Sequence, residues 1–283
     1  MKIWIDGKFV EKEAAQVSVY DHGLLYGDGV FEGIRFYDRK VFKLKEHVRR
    51  LFFSARFIML DINMTPEAME EAIIRTVDEG ELDDGYIRVV VSRGAGNLGL
   101  NPYSCPKAKV IIISDSITLY PAEYYENGLE IITSSTRRPT SASLSPQVKS
   151  LNYLNNIMAK VEAVQAGVLE ALMLNEQGYV AECTGDNIFI VKDGVVYTPP
   201  VSDGCLDGIT RQVVLEVCAE LGITAVERTL TRYDILTADE CFLTGTAAEV
   251  IPVTKLDGRV IGNGKPGPVI SRIRACYQSH TRE

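Results

Sequence analysis

The segment from residue 182 to residue 211 constrains the fold and chemistry of this 283-residue chain more than any other. It opens with the sequence ECTGDNIF, which places Glu182 at the start of a strand-like run. A loop follows, and the turn Gly208-Ile209-Thr210 leads into a helix. The first N–H groups of a helix lack partners within it and attract negative charge. This layout predicts a carboxylate and an anion cradle on one short segment.

The composition is that of an ordinary globular protein and argues against several classes of function. Hydrophobic residues make up 46% of the chain and charged residues 24%, and its length is sufficient for two domains. The net charge of -8 argues against a nucleic-acid partner, which favours a basic surface. The six cysteines form no C-x-x-C pair and the three histidines no H-E-x-x-H motif, which predicts reduced thiols and no metal site.

The apolar segments are too short for a membrane protein. No uninterrupted apolar run approaches the roughly 18 residues of a spanning helix. The amino terminus reaches Asp6 and Gly7 before the apolar core of a signal peptide can form. We therefore expect no membrane partner and a cytoplasmic location.

Hydrophobic periodicity predicts strands and helices without regular β-α-β alternation, which indicates an α+β fold. An early hairpin turns at Asp6-Gly7, and a helix starts at Thr65 with a proline at its first position. Helices are predicted over residues 46–57, 65–80, 152–165, 210–221 and 267–279. Helix- and strand-breaking residues divide the chain into a small N-terminal α+β domain (1–115), an interdomain linker (116–128) and a large C-terminal α+β domain (129–283).

The 182–211 segment closely resembles the signature of the class IV aminotransferases, which use pyridoxal 5'-phosphate (PLP). The resemblance spans nearly the whole chain, from Trp4 to the terminal helix. It implies the two-domain fold of the type IV PLP enzymes, the D-amino-acid aminotransferase-like fold, with a Schiff-base lysine in the large domain. Such an enzyme needs that lysine, an acid beside the pyridine nitrogen and donors for the phosphate.

Lys149 stands out among the thirteen lysines because it follows a loop rich in Pro, Ser and Thr and precedes a helix start. From context alone, a solvated surface lysine remains an alternative. The sequence KSLNYL (149–154) resembles the family's Schiff-base lysine and the helix start behind it. The resemblance implies that Lys149 is the catalytic residue, which binds PLP and shuttles a proton. It also implies that the Tyr153 phenol lies near the cofactor's O3'.

The resemblance assigns Glu182 to the pyridine nitrogen of the cofactor. A carboxylate there keeps the nitrogen protonated, so that the ring withdraws electrons from the substrate's Cα. The residue type alone leaves open an alternative, a glutamate at a strand edge in a surface ion pair.

Two loops and one helix resemble the phosphate site of the family. The first loop leads into the helix at Thr210, for which a simple helix cap is the alternative. The second is Gly245-Thr246-Ala247-Ala248, whose backbone also holds the substrate's α-carboxylate in related enzymes. The sequence HVRRL (47–51) resembles the family's His-x-x-Arg-Leu, which assigns the phosphate contact to Arg50 and directs Arg49 elsewhere. The predicted cofactor-binding residues are Arg50, Lys149, Tyr153, Glu182, Leu206, Gly208, Ile209, Thr210, Gly245 and Thr246.

The sequences YGDGVFEGIR (26–35) and YIR (86–88) resemble the branched-chain amino-acid aminotransferases of this family. The resemblance implies that Tyr26 and Phe31 wall an apolar pocket, with core packing as the alternative for Phe31. It also implies that Tyr86 assists at the α-carboxylate and that Arg88 binds the distal carboxylate of glutamate. The predicted substrate-binding residues are Tyr26, Phe31, Gly33, Tyr86, Arg88, Thr246 and Ala247.

The resulting hypothesis is a transaminase that moves the amino group of L-leucine, L-isoleucine or L-valine to 2-oxoglutarate. Its products are a branched-chain 2-oxo acid and L-glutamate. The alternatives are a D-amino-acid aminotransferase, an aminodeoxychorismate lyase of the same fold and, from another class, a non-catalytic binding protein. Because related enzymes build their sites at a dimer interface, the expected partners are small-molecule amino acids, 2-oxo acids and a second copy of the chain in a homodimer or higher homo-oligomer.

Overall fold

The computed structural model describes residues 2–282, which form two compact units. The first unit comprises residues 2–117 and Val148–Asn152, and the second comprises Thr118–Gln147 and residues 153–282. Lys149 therefore groups with the first unit by its contacts, although it follows the predicted linker in the chain. The domain limits predicted from the sequence stay a prediction. Within the described residues, no helix has both the length and the apolar character needed to cross a membrane.

The first unit is a six-stranded antiparallel sheet with two long helices packed on one face. Its strands are β1 (Lys2–Ile5), β2 (Lys8–Glu11), β3 (Gly29–Tyr37), β4 (Lys40–Val41), β5 (Gly85–Ser92) and β6 (Lys109–Asp115). Its helices are α1 (His22–Tyr26), α2 (Leu44–Phe57) and α3 (Pro66–Asp78). The strand order is β2-β1-β6-β5-β3-β4.

Two local signals in the first unit are confirmed. Asp6 and Gly7 turn the β1–β2 hairpin with φ values of 47° and 93°, as a primed two-residue turn requires. Thr65 caps α3, and its hydroxyl accepts a hydrogen bond from the N–H of Ala68 at 3.2 Å. Both features arise from residues adjacent in the chain, so the sequence is sufficient to specify them.

Alternation along β3 and β5 separates the core from the opposite face of the first sheet. The side chains of Val30, Ile34, Ile87, Val89 and Val91 are buried in the core formed with α2 and α3. Pairing sets Phe31 opposite Val90, Gly33 opposite Arg88 and Arg35 opposite Tyr86. Because successive side chains point to opposite faces of a strand, these three pairs share the face away from the core.

The second unit is built on a nine-stranded mixed sheet. Its strands are β7 (Leu129–Thr133), β8 (Glu170–Leu174), β9 (Val180–Cys183), β10 (Asn187–Lys192), β11 (Val195–Thr198), β12 (Ala225–Glu227), β13 (Glu240–Gly245), β14 (Glu249–Leu256) and β15 (Arg259–Val260). The order is β12-β11-β10-β13-β14-β7-β8-β9, with β15 beside β14. The β11–β12, β14–β7 and β7–β8 pairs are parallel and the others antiparallel.

Within the described residues, five α-helices belong to the second unit. They are α4 (Ala122–Asn127), α5 (Leu154–Gln165), α6 (Ile209–Glu220), α7 (Arg232–Leu236) and α8 (Pro268–His280). The three predicted helices near α5, α6 and α8 are confirmed, with starts shifted by one or two residues. The short helices α1, α4 and α7 escaped prediction because five or six residues show too little periodicity. Helix α4 lies inside the predicted linker.

Candidate active site

Lys149 lies in a short segment that pairs with the start of β3. Its carbonyl accepts a hydrogen bond from the Phe31 N–H at 3.0 Å, and its own N–H donates to Ser54 Oγ at 3.2 Å. The Leu151 N–H donates to the Gly29 carbonyl at 2.9 Å. The Lys149 side chain is half-buried, and its Nζ lies 4.6 Å from the centre of the Phe31 ring. Lys149 is thus held by its backbone and is not a freely solvated surface lysine.

Four predicted substrate residues meet on the face of the first sheet that points away from α2 and α3. Arg88 donates from Nη2 to the Tyr86 hydroxyl at 3.1 Å, and its guanidinium lies 4.8 Å from the centre of the Phe31 ring. A Cβ atom built on Gly33 would lie only 1.8 Å from the Tyr86 hydroxyl. Only glycine therefore allows this position of the phenol. The face combines an apolar ring, a cation and a hydroxyl.

Tyr26 closes the short helix α1. Its hydroxyl donates to the carbonyl of Leu98. The helix begins at the cap Asp21 and ends at Gly27, whose φ of 69° is left-handed. Asn152 donates from Nδ2 to the Gly27 carbonyl at 2.8 Å, which ties this helix end to the segment that carries Lys149.

Arg50 lies in α2 and forms a buried ion pair with Glu32. Its Nε and Nη2 donate to the two carboxylate oxygens of Glu32 at 2.7 and 2.8 Å, and His47 Nδ1 lies 2.8 Å from the same carboxylate. Burial alone would raise the pKa of Glu32. The charge of Arg50 and the hydrogen bonds from Arg50 and His47 outweigh burial and hold that pKa well below its usual range. Arg49 is exposed, as the register predicts.

Burial has the largest effect on the pKa of His47, the histidine of this cluster. It lowers the pKa of His47, and the nearby cations Arg50 and Lys149 lower it further, against the opposing effect of Glu32. His47 is therefore neutral at neutral pH. The charged groups of the cluster are therefore the Glu32 carboxylate and the Arg50 guanidinium.

In the second unit, Glu182 lies on β9 and is almost fully buried. Its Oε1 lies 2.9 Å from Arg138 Nη2, and its Oε2 accepts a hydrogen bond from the Leu206 N–H at 3.0 Å. Arg138 is itself buried and donates from Nη1 to the side-chain oxygens of Asn155 and Asn156 at 3.1 and 2.9 Å. The surface ion pair considered for Glu182 is therefore wrong, because its partner is a buried arginine held by α5.

The predicted phosphate turn is held at the amino terminus of α6. Gly208 is the N-cap, so the cap considered for Thr210 is wrong, and both Ile209 and Thr210 are buried in the first turn. Asn187 donates from Nδ2 to the Leu206 carbonyl at 2.9 Å, and a Cβ atom on Gly208 would come within 2.1 Å of its Oδ1. The amide of Asn187 thus fits against a bare backbone at a helix N-terminus.

The second predicted loop follows β13. Gly245 ends the strand, and Thr246 and Ala247 form the turn before Glu249, whose φ is 58°. A Cβ atom on Gly245 would lie 2.0 Å from Asp186 Oδ1. Pairing sets Thr244 opposite Asn187, so both side chains lie on one face of the sheet. Within residues 2–282, the Thr244 hydroxyl is buried without a hydrogen-bond partner. Gly208 thus lies beside Asn187 of β10, and Gly245 follows Thr244 of the neighbouring strand β13. Adjacent strands therefore connect the two glycine turns of the second unit.

Sequence reasoning missed several residues that hold the predicted ones in place. They are Glu32, Arg138, Asp186 and Asn187. Asp186 and Asn187 stand inside the ECTGDNIF sequence, and Arg138 stands in the polar run before Lys149. None of these positions reveals its partner, because each partner comes from another element. Tyr153, at the N-cap of α5, is half-buried in the second unit.

Comparison with known proteins identifies the family. The model of the class IV amino-transferases matches residues 29–256. A protein of Methanocaldococcus jannaschii, named with reservation as a branched-chain-amino-acid aminotransferase, is 52% identical over 278 residues, which are 98% of this chain and 96% of that protein.

Two crystal structures are similar over nearly their whole length. The branched-chain amino acid aminotransferase of Escherichia coli has a TM-score of 0.96 and 37% identity, over 98% of this chain and 93% of that one. The branched-chain amino acid aminotransferase of Thermobaculum terrenum, in its PLP-bound form, has a TM-score of 0.90 and 31% identity, over 99% of this chain and 93% of that one. The fold is therefore that of the type IV PLP enzymes, and this chain belongs to the class IV aminotransferase family.

Proposed function

We propose that this protein is a PLP-dependent branched-chain-amino-acid aminotransferase. It transfers the amino group of L-leucine, L-isoleucine or L-valine to 2-oxoglutarate. The observation that carries the choice of substrate is that the Phe31 ring and the Arg88 guanidinium lie 4.8 Å apart on the face of the first sheet away from its helices. An enzyme that accepts both a branched aliphatic side chain and glutamate needs an apolar wall and a cation in one pocket.

The residues of the second unit fit the phosphate of PLP. Two glycine positions leave no space for a Cβ atom, one of them at a helix N-terminus, and a buried hydroxyl at Thr244 has no partner among the described residues. Bare backbone N–H groups and hydroxyls are typical ligands of phosphate. Gly208, Ile209, Thr210, Gly245 and Thr246 are the proposed phosphate donors, whereas the Leu206 N–H donates to Glu182 and serves the ring end of the cofactor. Arg50, oriented by Glu32, adds a cation.

The charged residues divide the catalytic work between them. PLP, when bound, supplies a ring that withdraws electrons from the substrate's Cα. The Lys149 amine would hold the cofactor covalently in the resting enzyme and, once freed, would move a proton at that carbon. Glu182 provides the carboxylate for the ring nitrogen, and Arg138 and the Leu206 N–H fix its direction. Tyr153 supplies a phenol near the cofactor's O3'.

Two sets of residues are the proposed ligands of the substrate. Tyr26 and Phe31 wall the aliphatic side chain, and Gly33 gives the Tyr86 phenol its space. Tyr86, with the backbone of Thr246 and Ala247, binds the α-carboxylate. Arg88 binds the distal carboxylate of glutamate and 2-oxoglutarate.

A substrate panel and a labelling experiment test this function. The purified protein should absorb visible light, lose that absorbance with borohydride and carry the label on Lys149. L-Leucine with 2-oxoglutarate should give L-glutamate, whereas D-alanine and aminodeoxychorismate should give no product. Lys149→Ala should abolish turnover, while Lys192→Ala, on a distant part of the sequence, should retain it. Activity with D-alanine alone would overturn the choice of substrate.

We also propose a homodimer or higher homo-oligomer in the cytoplasm. Five apolar residues with helical spacing are exposed along one face of α5: Leu154, Ile157, Met158, Val161 and Val164. A second copy of the chain is the proposed occupant of this face, and six reduced cysteines suit a reducing compartment. Ile157→Glu should lower the mass measured by sedimentation. A monomeric native protein would contradict the oligomer.

A further inference from the structure

Three acidic groups converge in the second unit at a place that the proposed function does not use. Tyr120 precedes α4, Glu170 begins β8, and Asp186 lies in the turn between β9 and β10. All three residues are at most 4% exposed. The Tyr120 hydroxyl lies 2.9 Å from Asp186 Oδ2 and 3.2 Å from Glu170 Oε2. One phenol oxygen therefore bridges two buried carboxyl groups.

Two ionised carboxyl groups at this place would share a single phenol proton. The phenol carries one proton and can donate it to only one carboxylate. The other carboxyl group must bring its own proton to form a hydrogen bond with the phenol oxygen. Two negative charges with a single proton between them would otherwise face each other without water.

The hydrogen bonds indicate which carboxyl group stays charged. Glu170 Oε1 accepts from the N–H groups of Ala171 and Thr184 at 2.7 and 3.0 Å, and Lys160 Nζ lies 3.5 Å from Oε2. These donors stabilise an anion. The proton therefore belongs to Asp186, which donates to the Tyr120 oxygen, while Tyr120 donates to Glu170.

The charges around Asp186 agree with this assignment. Burial, followed by the charge of Glu170, raises the pKa of Asp186 to about 7, and Glu182 on β9 adds to the increase. Lys160 on α5 opposes it, and a hydrogen bond donated by the Tyr120 hydroxyl to Asp186 would do the same. Burial also raises the pKa values of Tyr120 and of the neighbouring thiol Cys183, so both groups are neutral.

The other carboxyl oxygen of Asp186 faces the loop after β13. Because a Cβ atom on Gly245 would lie 2.0 Å from Asp186 Oδ1, the carboxyl group lies directly against the Cα of that glycine. We infer that Asp186 is a neutral carboxylic acid that supports the 245–248 loop without placing a negative charge beside its anionic ligand. This inference rests on the proposed function of the loop, and it makes Asp186 a positioning residue.

Infrared spectroscopy of the apoprotein tests the protonation state without the cofactor. The wild type should show the carbonyl band of a buried carboxylic acid below pH 7, and the band should fade as the pH rises. Asp186→Asn should lack the band, and Asp193→Asn, an exposed aspartate of a neighbouring turn, should retain it. Tyr120→Phe should shift the band by removing its hydrogen-bond partner, which identifies the band even if Asp186→Asn fails to fold. Absence of the band in the wild type would overturn the inference and leave the proposed function intact.

Binding of PLP to the apoprotein, followed by visible absorbance, tests the consequence. Between pH 6 and pH 9, wild-type affinity should fall roughly tenfold more than that of Asp186→Asn, because a like charge repels the phosphate. The ratio of the two proteins removes the ionisation of PLP and Lys149, which both proteins share. Parallel pH profiles would overturn the role of Asp186. A protein that shows the infrared band but binds no PLP would instead overturn the proposed function.

Discussion

Two buried carboxyl groups, Glu32 in the first unit and Asp186 in the second, have pKa values shifted in opposite directions. Their exposures are 0% and 4%, so burial penalises a charge at both sites. Glu32 faces the guanidinium of Arg50, which lowers its pKa, whereas Asp186 faces Glu170 through a phenol, and its pKa is raised to about 7. Because burial raises the pKa at both sites, the charge of the partner decides the direction of the net pKa shift.

Glu32 and Asp186 should therefore contribute to the free energy of unfolding with opposite dependences on pH. The pKa of Glu32 is lowered from a usual value of 4.5, so its contribution is present above that pH and is lost as the pH falls towards its folded pKa. The pKa of Asp186 is raised from 3.8 to about 7, so its contribution is present below pH 3.8 and is lost as the pH rises through 7.

The largest expected effect is that of Glu32→Gln. Removing the carboxylate leaves the Arg50 guanidinium without its buried counter-ion, and the free energy of unfolding should fall by about 3–5 kcal/mol. Urea denaturation at pH 7 measures this change. Glu79→Gln is the control, because Glu79 forms an exposed pair with Lys2 at 3.3 Å and should cost less than about 1 kcal/mol. Equal losses in both variants would show that the buried pair contributes no more than a surface pair.

Gly245→Ala should have the next largest effect. The new methyl group would meet Asp186 Oδ1 and push the carboxyl group away from Tyr120, at a cost of about 1–3 kcal/mol. Thermal unfolding measures the loss. Gly185→Ala is the matched control, because a Cβ atom there meets nothing within 4 Å. A Gly245→Ala variant as stable as Gly185→Ala would argue against the contact between Asp186 and the loop.

Asp186→Asn should change the slope of stability against pH. Between about pH 5 and pH 7, folded Asp186 is protonated and the unfolded residue is ionised, so wild-type stability falls by up to about 1.4 kcal/mol per pH unit more than that of the variant. Denaturation at several pH values measures both slopes. Identical slopes would mean that Asp186 ionises normally in the folded protein.

The smallest expected effect is that of Lys160→Gln. The ammonium group lies 3.5 Å from Glu170 Oε2 and lowers the pKa of Asp186, but its side chain is 38% exposed and water screens its charge. Removing it should raise slightly the pH at which the Asp186 carbonyl band fades, because water already screens the ammonium charge. A shift towards lower pH would contradict the order of charges in this cluster.

The sequence was sufficient to predict the family, most of the long helices and the local turns. The family prediction is confirmed by the match over residues 29–256, and the α+β fold by its structural relatives. Helix α3 and the β1–β2 hairpin followed from Thr65 and from Asp6-Gly7, whose signals act within a few residues. The roles of Lys149, Glu182 and the other predicted site residues stay predictions.

The sequence alone determined where strong local patterns begin and end, because capping, turn geometry and periodicity depend on neighbours in the chain. Only the tertiary structure decided the charge partners of the buried acids. Glu32 acquires Arg50 from α2, Glu182 acquires Arg138 from the segment after β7, and Asp186 acquires Tyr120 and Glu170 from two further elements. Electrostatic energy depends on distance in space, so residues far apart in sequence set the charge of each group.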